Sequence, residues 1–244
     1  LLSSFSVFIF SGLALIAPTG YSWGPAILLI TALYTYARSK NLKITNTAYR
    51  PLLIVFSLFF LVALVETLVH SLGVRSIDRP SRFIAALLTL PFLTRFPPKP
   101  IYLWLGIAIG ATLAGMWAIK QIWIDGLTRA HGETQAIQFG GISMLLGLLS
   151  LVGFFWARDQ TKRGYLIKTL TILGFIFGVI ASILSGSRGS WLAFPVGFVL
   201  CFITYKRVIK KSTLLALLAL LIALSLSVFF VQSDRIYQRT AQGI

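Results

Sequence analysis

Acidic residues are nearly missing. Six Asp and Glu stand against 22 Lys and Arg in 244 residues, a formal net charge of +16. Charge of either sign is scarce: 11% of the chain is charged, 57% is hydrophobic, and the mean hydropathy is +0.87. A soluble domain carries about 25% charge and about 45–50% apolar residues, so a water-soluble globular domain and a disordered chain are both excluded. The one cysteine, Cys201, lies in an apolar run, which excludes an intramolecular disulfide and a cysteine metal cluster. Two histidines are too few for a histidine-built metal site. H-E-x-x-H, P-loop, G-x-G-x-x-G and D-x-D patterns are absent, so neither a metal nor a nucleotide cofactor is expected. On a soluble chain the positive charge would point to nucleic acid; on this one it points to membrane lipids and to orientation in the bilayer.

What the chain does have is nine apolar runs: Leu1 to Ala17, Tyr21 to Ala37, Pro51 to Leu72, Phe83 to Thr94, Ile101 to Ile119, Phe139 to Ala157, Ile167 to Leu184, Trp191 to Tyr205 and Thr213 to Val231. Each except the fourth is long enough to cross a bilayer, some with help from interfacial flanks. Backbone groups in lipid must bond within their own segment, so the runs are expected to be helices. Alternation with period two is absent, which disfavours a β-barrel. The expected fold is an all-α polytopic membrane protein, a single transmembrane domain over 1–244 with about nine transmembrane helices. The chain opens in mid-span without Met and stops just after a span. It therefore reads as the N-terminal portion of a longer protein.

Lys and Arg assign the sides. Fourteen fall in alternate loops around Arg38 to Arg50, Arg95 to Lys99, Arg158 to Lys168 and Lys206 to Lys211; eight fall in the others. The richer set is expected to be cytoplasmic, with the N-terminal side of the first run inside. The poorer, outer set is Arg75, Arg79, Arg82, Lys120, Arg129, Arg188, Arg235 and Arg239. Seven of these eight are Arg. Either residue serves as an orientation charge, but a bidentate clamp for phosphate favours Arg.

The fourth run is short. Twelve residues separate Arg82 from Arg95, ~18 Å of helix against a ~30 Å core. Pro80 suits a helix start, which would put Arg82 in the first turn. Arg82 then either faces a cavity at the membrane boundary or snorkels to headgroups.

Three stretches carry candidate chemistry. Ser185-Gly186-Ser187-Arg188-Gly189-Ser190-Trp191-Leu192 joins two spans on the outer side by a tight turn. Gly186 and Gly189 permit positive φ and close approach of a ligand, and Ser190 can cap the next helix. That helix start, with Arg188 beside it, suits a phosphate or diphosphate; the plainer reading is an ordinary turn with an interfacial Arg. The second stretch runs from Lys120 to Gln138. Arg129 could hold a phosphate and His131 could act as a base. Glu133 could orient the His131 ring or bind a sugar hydroxyl, and Gln135 and Gln138 suit sugar hydroxyls. The alternative is a solvated polar loop. The third is Glu66 with His70, spaced i, i+4 near an outer helix end. They are either a proton relay or a mutually satisfied pair tied to Arg75 that shapes the outer cavity.

Ser187-Arg188-Gly189-Ser190-Trp191-Leu192, opening a span in a multi-span chain, resembles the signature of the O-antigen ligase and polymerase superfamily of lipopolysaccharide biosynthesis. Arg129-Ala-His131-Gly132 leading to Ile137-Gln138-Phe139-Gly140 is similar to the corresponding ligase region. The resemblance covers essentially the whole chain through its order of spans and loops. It implies a glycosyltransferase class C-like architecture in the bacterial inner membrane with a periplasmic active site. The implied reaction moves a glycan from undecaprenyl diphosphate to the lipid A core oligosaccharide, with neither metal nor nucleotide. It implies diphosphate-binding roles for Arg188 and Arg129, to which the outer position of Arg82 adds a third candidate. His131, Gly189, Ser187, Arg79, Arg75, Glu66 and His70 are supporting candidates. The family's catalytic histidine sits on a large periplasmic loop after a span like Thr213 to Val231, so it is expected beyond Ile244. An O-antigen polymerase or a protein O-oligosaccharyltransferase of the same superfamily shares these features. A lipid or polysaccharide transporter would use the same basic outer cavity for binding alone.

Overall fold

The computed structural model describes residues 1–38, 50–70, 78–157 and 164–205, without the side chains of Asp78, Arg79, Arg188, Trp191, Leu192, Ala193 and Phe202. Eight α-helices follow one another with no strand among the described residues: α1 (Leu2–Leu13), α2 (Gly20–Arg38), α3 (Arg50–Val69), α4 (Asp78–Arg95), α5 (Pro100–Trp123), α6 (Ala136–Trp156), α7 (Gly164–Ser185) and α8 (Arg188–Tyr205). Of these, α3, α5, α6 and α7 are long and apolar enough to cross a membrane. The chain is thus an all-helical protein of membrane type. The ninth run, Thr213 to Val231, lies outside the described residues.

Two boundaries differ from the sequence expectation, each for a local reason. The first run was expected to span, but α1 has only 12 residues. It ends at Leu13, whose carbonyl takes the amides of both Ile16 and Ala17 in a tightened last turn, and the Leu15 carbonyl turns outward to another loop. The fourth helix is longer than its apolar run. It starts at Asp78 rather than at Pro80 and has 18 residues, ~27 Å at 1.5 Å per residue. Polar residues join its first turn because Pro is tolerated there, where its missing N–H has no intrahelical partner.

The core sits among α5, α6 and α7. Small residues let these helices approach closely, the usual device where lipid removes the drive to bury apolar side chains. A Cβ added at Gly178 would lie 2.8 Å from the Gly147 Cα, and one at Gly174 would lie 2.9 Å from the Ala108 backbone. Phe139, Leu146, Ala181 and Leu184 complete one buried cluster against the alanines of α5; Met144, Phe155, Phe175 and Phe198 lie in the other. Outward from this core, α8 packs on α6, and α1 packs on α5 and α2. The α2 helix in turn meets α4, and α4 meets α3. Most of α3 is exposed, as a lipid-facing helix should be.

Candidate functional site

Because α7 packs against both α5 and α6, the loop joining those two helices crosses the C-terminal end of α7. The last four carbonyls of any helix lack intrahelical partners; here all four are met. Ser182 O accepts from Ser185 Oγ at 2.7 Å and Ile183 O from the Gly186 amide at 2.9 Å. The loop supplies the other two: the Ala130 amide donates to Leu184 O at 3.0 Å and Arg129 Nε to Ser185 O at 2.8 Å. Arg129 Nη2 also reaches Gly186 O at 3.4 Å. The guanidinium is thereby held flat against the α7–α8 turn. Its Nη1 has no hydrogen-bond partner among the described residues, and the residue remains exposed.

The turn itself is two residues long. Gly186 has φ +65°, the left-handed region that Gly enters without steric cost. Ser187 precedes the first residue of α8 and sits in the N-cap position. This corrects two expectations. Ser190 is not the cap; it lies in the first helical turn and donates from Oγ to Ser187 Oγ at 2.9 Å. Gly189 is not a turn residue either: it is helical, and a Cβ there would meet nothing within 4 Å among the described residues. One left-handed glycine and one cap suffice to reverse the chain, so the helix begins three residues earlier than the sequence suggested. Ser187 is buried and its amide donates to Ser185 Oγ at 3.2 Å. Gly140 of α6 lets this serine cluster approach, since a Cβ at Gly140 would collide with Ser185 Oγ and Ser187 Cβ.

The α5–α6 loop is held at three further points. The buried Gln121 accepts the amides of His131 and Gly132 on one oxygen, each at 3.0 Å. The Glu133 amide donates to Leu15 O of the α1–α2 turn at 3.2 Å. His131 Nδ1 lies 2.8 Å from Gly132 O, which can only accept, so Nδ1 is the donor. Lys120 pairs with Asp125 at 3.3 Å and sits over the Trp117 ring. Neither Gln121 nor Leu15 was among the expected site residues. A glutamine in the last turn of an apolar helix, ten residues before His131, was the legible signal for the first. The second contributes only a backbone oxygen.

Arg129, His131, Gly132, Ser187 and the first turn of α8 are therefore assembled in one place. Arg188 opens α8 there, with its side chain outside the described residues. Arg82 is placed elsewhere. It lies over the Tyr21 ring, 5.6 Å from the centroid, at the edge of a cavity of about 610 Å³ between α1, α2 and α4. Tyr21 opens α2 just after the turn that bonds Glu133, so this cavity starts at the same end of the bundle. Glu66 and His70 are exposed near the end of α3. His70 Nδ1 lies 3.2 Å from the Glu66 backbone oxygen, so the ring donates to main chain where a pairing of side chains was expected. Arg75 and the Arg79 side chain lie outside the described residues. Among the described residues no cluster of three His, Cys, Asp or Glu could hold a metal ion.

No protein-family model matches the chain. It is 29% identical over 212 residues, 85% of its length, to an uncharacterized protein of Haemophilus influenzae. The match covers 51% of that protein, so the chain spans about half the length of the curated relative it resembles.

Proposed function

We propose that the protein is an O-antigen ligase, or a close member of that superfamily, acting at the periplasmic face of the bacterial inner membrane. One observation carries this reading: Arg129 lies against the α7–α8 turn that presents Arg188, although 56 residues separate Arg129 from Ser185. The two stretches that resemble ligase regions in sequence thus meet in space. A lipid-linked diphosphate would face the exposed edge of Arg129, the amides opening α8 and Arg188. A helix start and arginines together suit such an anion. Among the described residues nothing lies within 4 Å of a Cβ built at Gly189, which leaves room for it.

In the proposed reaction a hydroxyl of the lipid A core attacks the anomeric carbon of the glycan. The bond from that carbon to the diphosphate oxygen breaks, and undecaprenyl diphosphate leaves with the bonding electron pair. The arginines stabilise the charge that gathers on the leaving oxygens. The proton of the attacking hydroxyl passes to a base that the family resemblance puts beyond Ile244.

Reconstitution tests the reading. Purified full-length protein in liposomes with lipid-linked glycan and lipid A core should form a new glycosidic bond without added metal or nucleotide. Movement of the glycan across the bilayer with no new bond would replace the enzyme by a transporter. Loss of the protein in cells should leave finished polymer on the carrier and a bare core. Single repeat units on the core would indicate a polymerase instead.

A further inference from the structure

The cavity between α1, α2 and α4 takes no lining residue from the elements of the proposed transfer site. That site is built by α5 to α8, whereas α4 packs only on α2 and α3 in the main helix contacts. The cavity runs along α2 from Tyr21 to Leu29, ~12 Å at helical rise. Its volume of about 610 Å³ falls within the ~300–1,000 Å³ of small-molecule sites. Ala85 and Ala86 on one wall and Leu28 and Leu29 on another line it, and larger side chains at the alanine positions would narrow the gap. The polar residues deeper in it, Ser6 and Thr89, donate to carbonyls of their own helices at 3.0 and 2.9 Å. A hydrocarbon chain lying there would leave no buried donor unmet. One end is different. Arg82 and the Tyr21 ring form a cationic, amphipathic mouth, where an Arg at interfacial depth favours an anionic headgroup.

We infer that this groove binds one chain of an anionic membrane phospholipid, with the lipid phosphate at Arg82. The site stands apart from the glycan-transfer reading and does not depend on it. Charge decides the headgroup and the apolar walls decide the tail.

Photo-crosslinking of purified full-length protein in nanodiscs tests this. A phosphatidylglycerol with a diazirine in one acyl chain should label peptides of α2 and α4. A phosphatidylcholine analogue should label them about fivefold less, the effect of one basic residue on an anionic headgroup. Arg82→Gln should abolish that preference. Ala86→Phe, which fills the groove, should remove the α2 and α4 adducts while labelling of α3 persists. Ala85→Leu, a smaller fill on the same wall, keeps the test open if the Phe variant does not fold. Equal labelling by both headgroups, or adducts unchanged in the filled variants, would overturn the site. Displacement by a polyprenyl diphosphate but not by excess phosphatidylglycerol would also overturn it, by assigning the groove to a different lipid. Absence of glycan transfer would leave it standing.

Discussion

Arg129 donates from Nε to the Ser185 carbonyl oxygen at 2.8 Å and from Nη2 to Gly186 O at 3.4 Å. The same side chain thus closes the C-terminus of one helix and borders the start of the next. Its charge also complements the negative end of the α7 dipole. A residue proposed to meet a diphosphate is therefore first a structural element of the turn that presents the second arginine.

Arg129→Ala should lower stability by about 1–2 kcal/mol, the range for a charge-assisted bond discounted for exposure. Arg129→Lys keeps the charge but cannot bridge two carbonyls in one plane, so most of that loss should remain. Thermal unfolding in detergent measures both. A melting point equal to wild type in each variant would remove the capping role.

Gly186 in the turn and Gly189 in the helix that follows should behave oppositely. Gly186→Ala places a Cβ at φ +65°, 3.3 Å from Arg129 Nε, and should cost about 1–2 kcal/mol. Gly189→Ala is helical and meets nothing within 4 Å among the described residues, so stability should hold or rise by about 0.4–1 kcal/mol. If a diphosphate approaches that backbone, Gly189→Ala should nonetheless reduce transfer. Full transfer by a stable Gly189→Ala protein would place the donor elsewhere.

Gln121 fixes the loop through one oxygen. Gln121→Leu leaves the His131 and Gly132 amides without their acceptor, a loss of about 1–3 kcal/mol for each buried group left unmet. Gln121→Glu keeps the acceptor and should retain more of the native stability. Limited proteolysis of the α5–α6 loop reads the difference. Identical cleavage rates in wild type and the Leu variant would refute the clamp.

Arg188 carries the sharpest functional expectation. Arg188→Ala should cut transfer by about 10²-fold or more while the protein still inserts, the scale for one lost transition-state contact. Arg188→Lys should rescue poorly, because a point charge does not replace a fork. Normal turnover in the Ala variant would sink the diphosphate role.

The helices were legible because hydropathy and backbone satisfaction act along the chain: seven of the nine runs match helices closely, from Tyr21 to Ala37 through Trp191 to Tyr205, apart from the extended start at Asp78. The end of α1 was not legible, since the Leu13 carbonyl closes a tightened turn and the Leu15 carbonyl just beyond it answers to a distant loop. Arg129 and the Ser187 turn could be singled out as candidates from residue type and position. Their meeting could not, because nothing in either stretch encodes a partner 56 residues away.

Composition alone thus established that this chain is helical and made for a bilayer, since an apolar segment without water must bond its own backbone. That Arg129 meets the α7–α8 turn was settled only by packing. With α7 wedged between α5 and α6, their connecting loop has to cross the α7 terminus. With α4 packed mainly on α2 and α3, Arg82 is carried to the edge of the cavity between α1, α2 and α4. Side-chain partnership at that range depends on the order in which helices touch, and that order is a property of the folded whole.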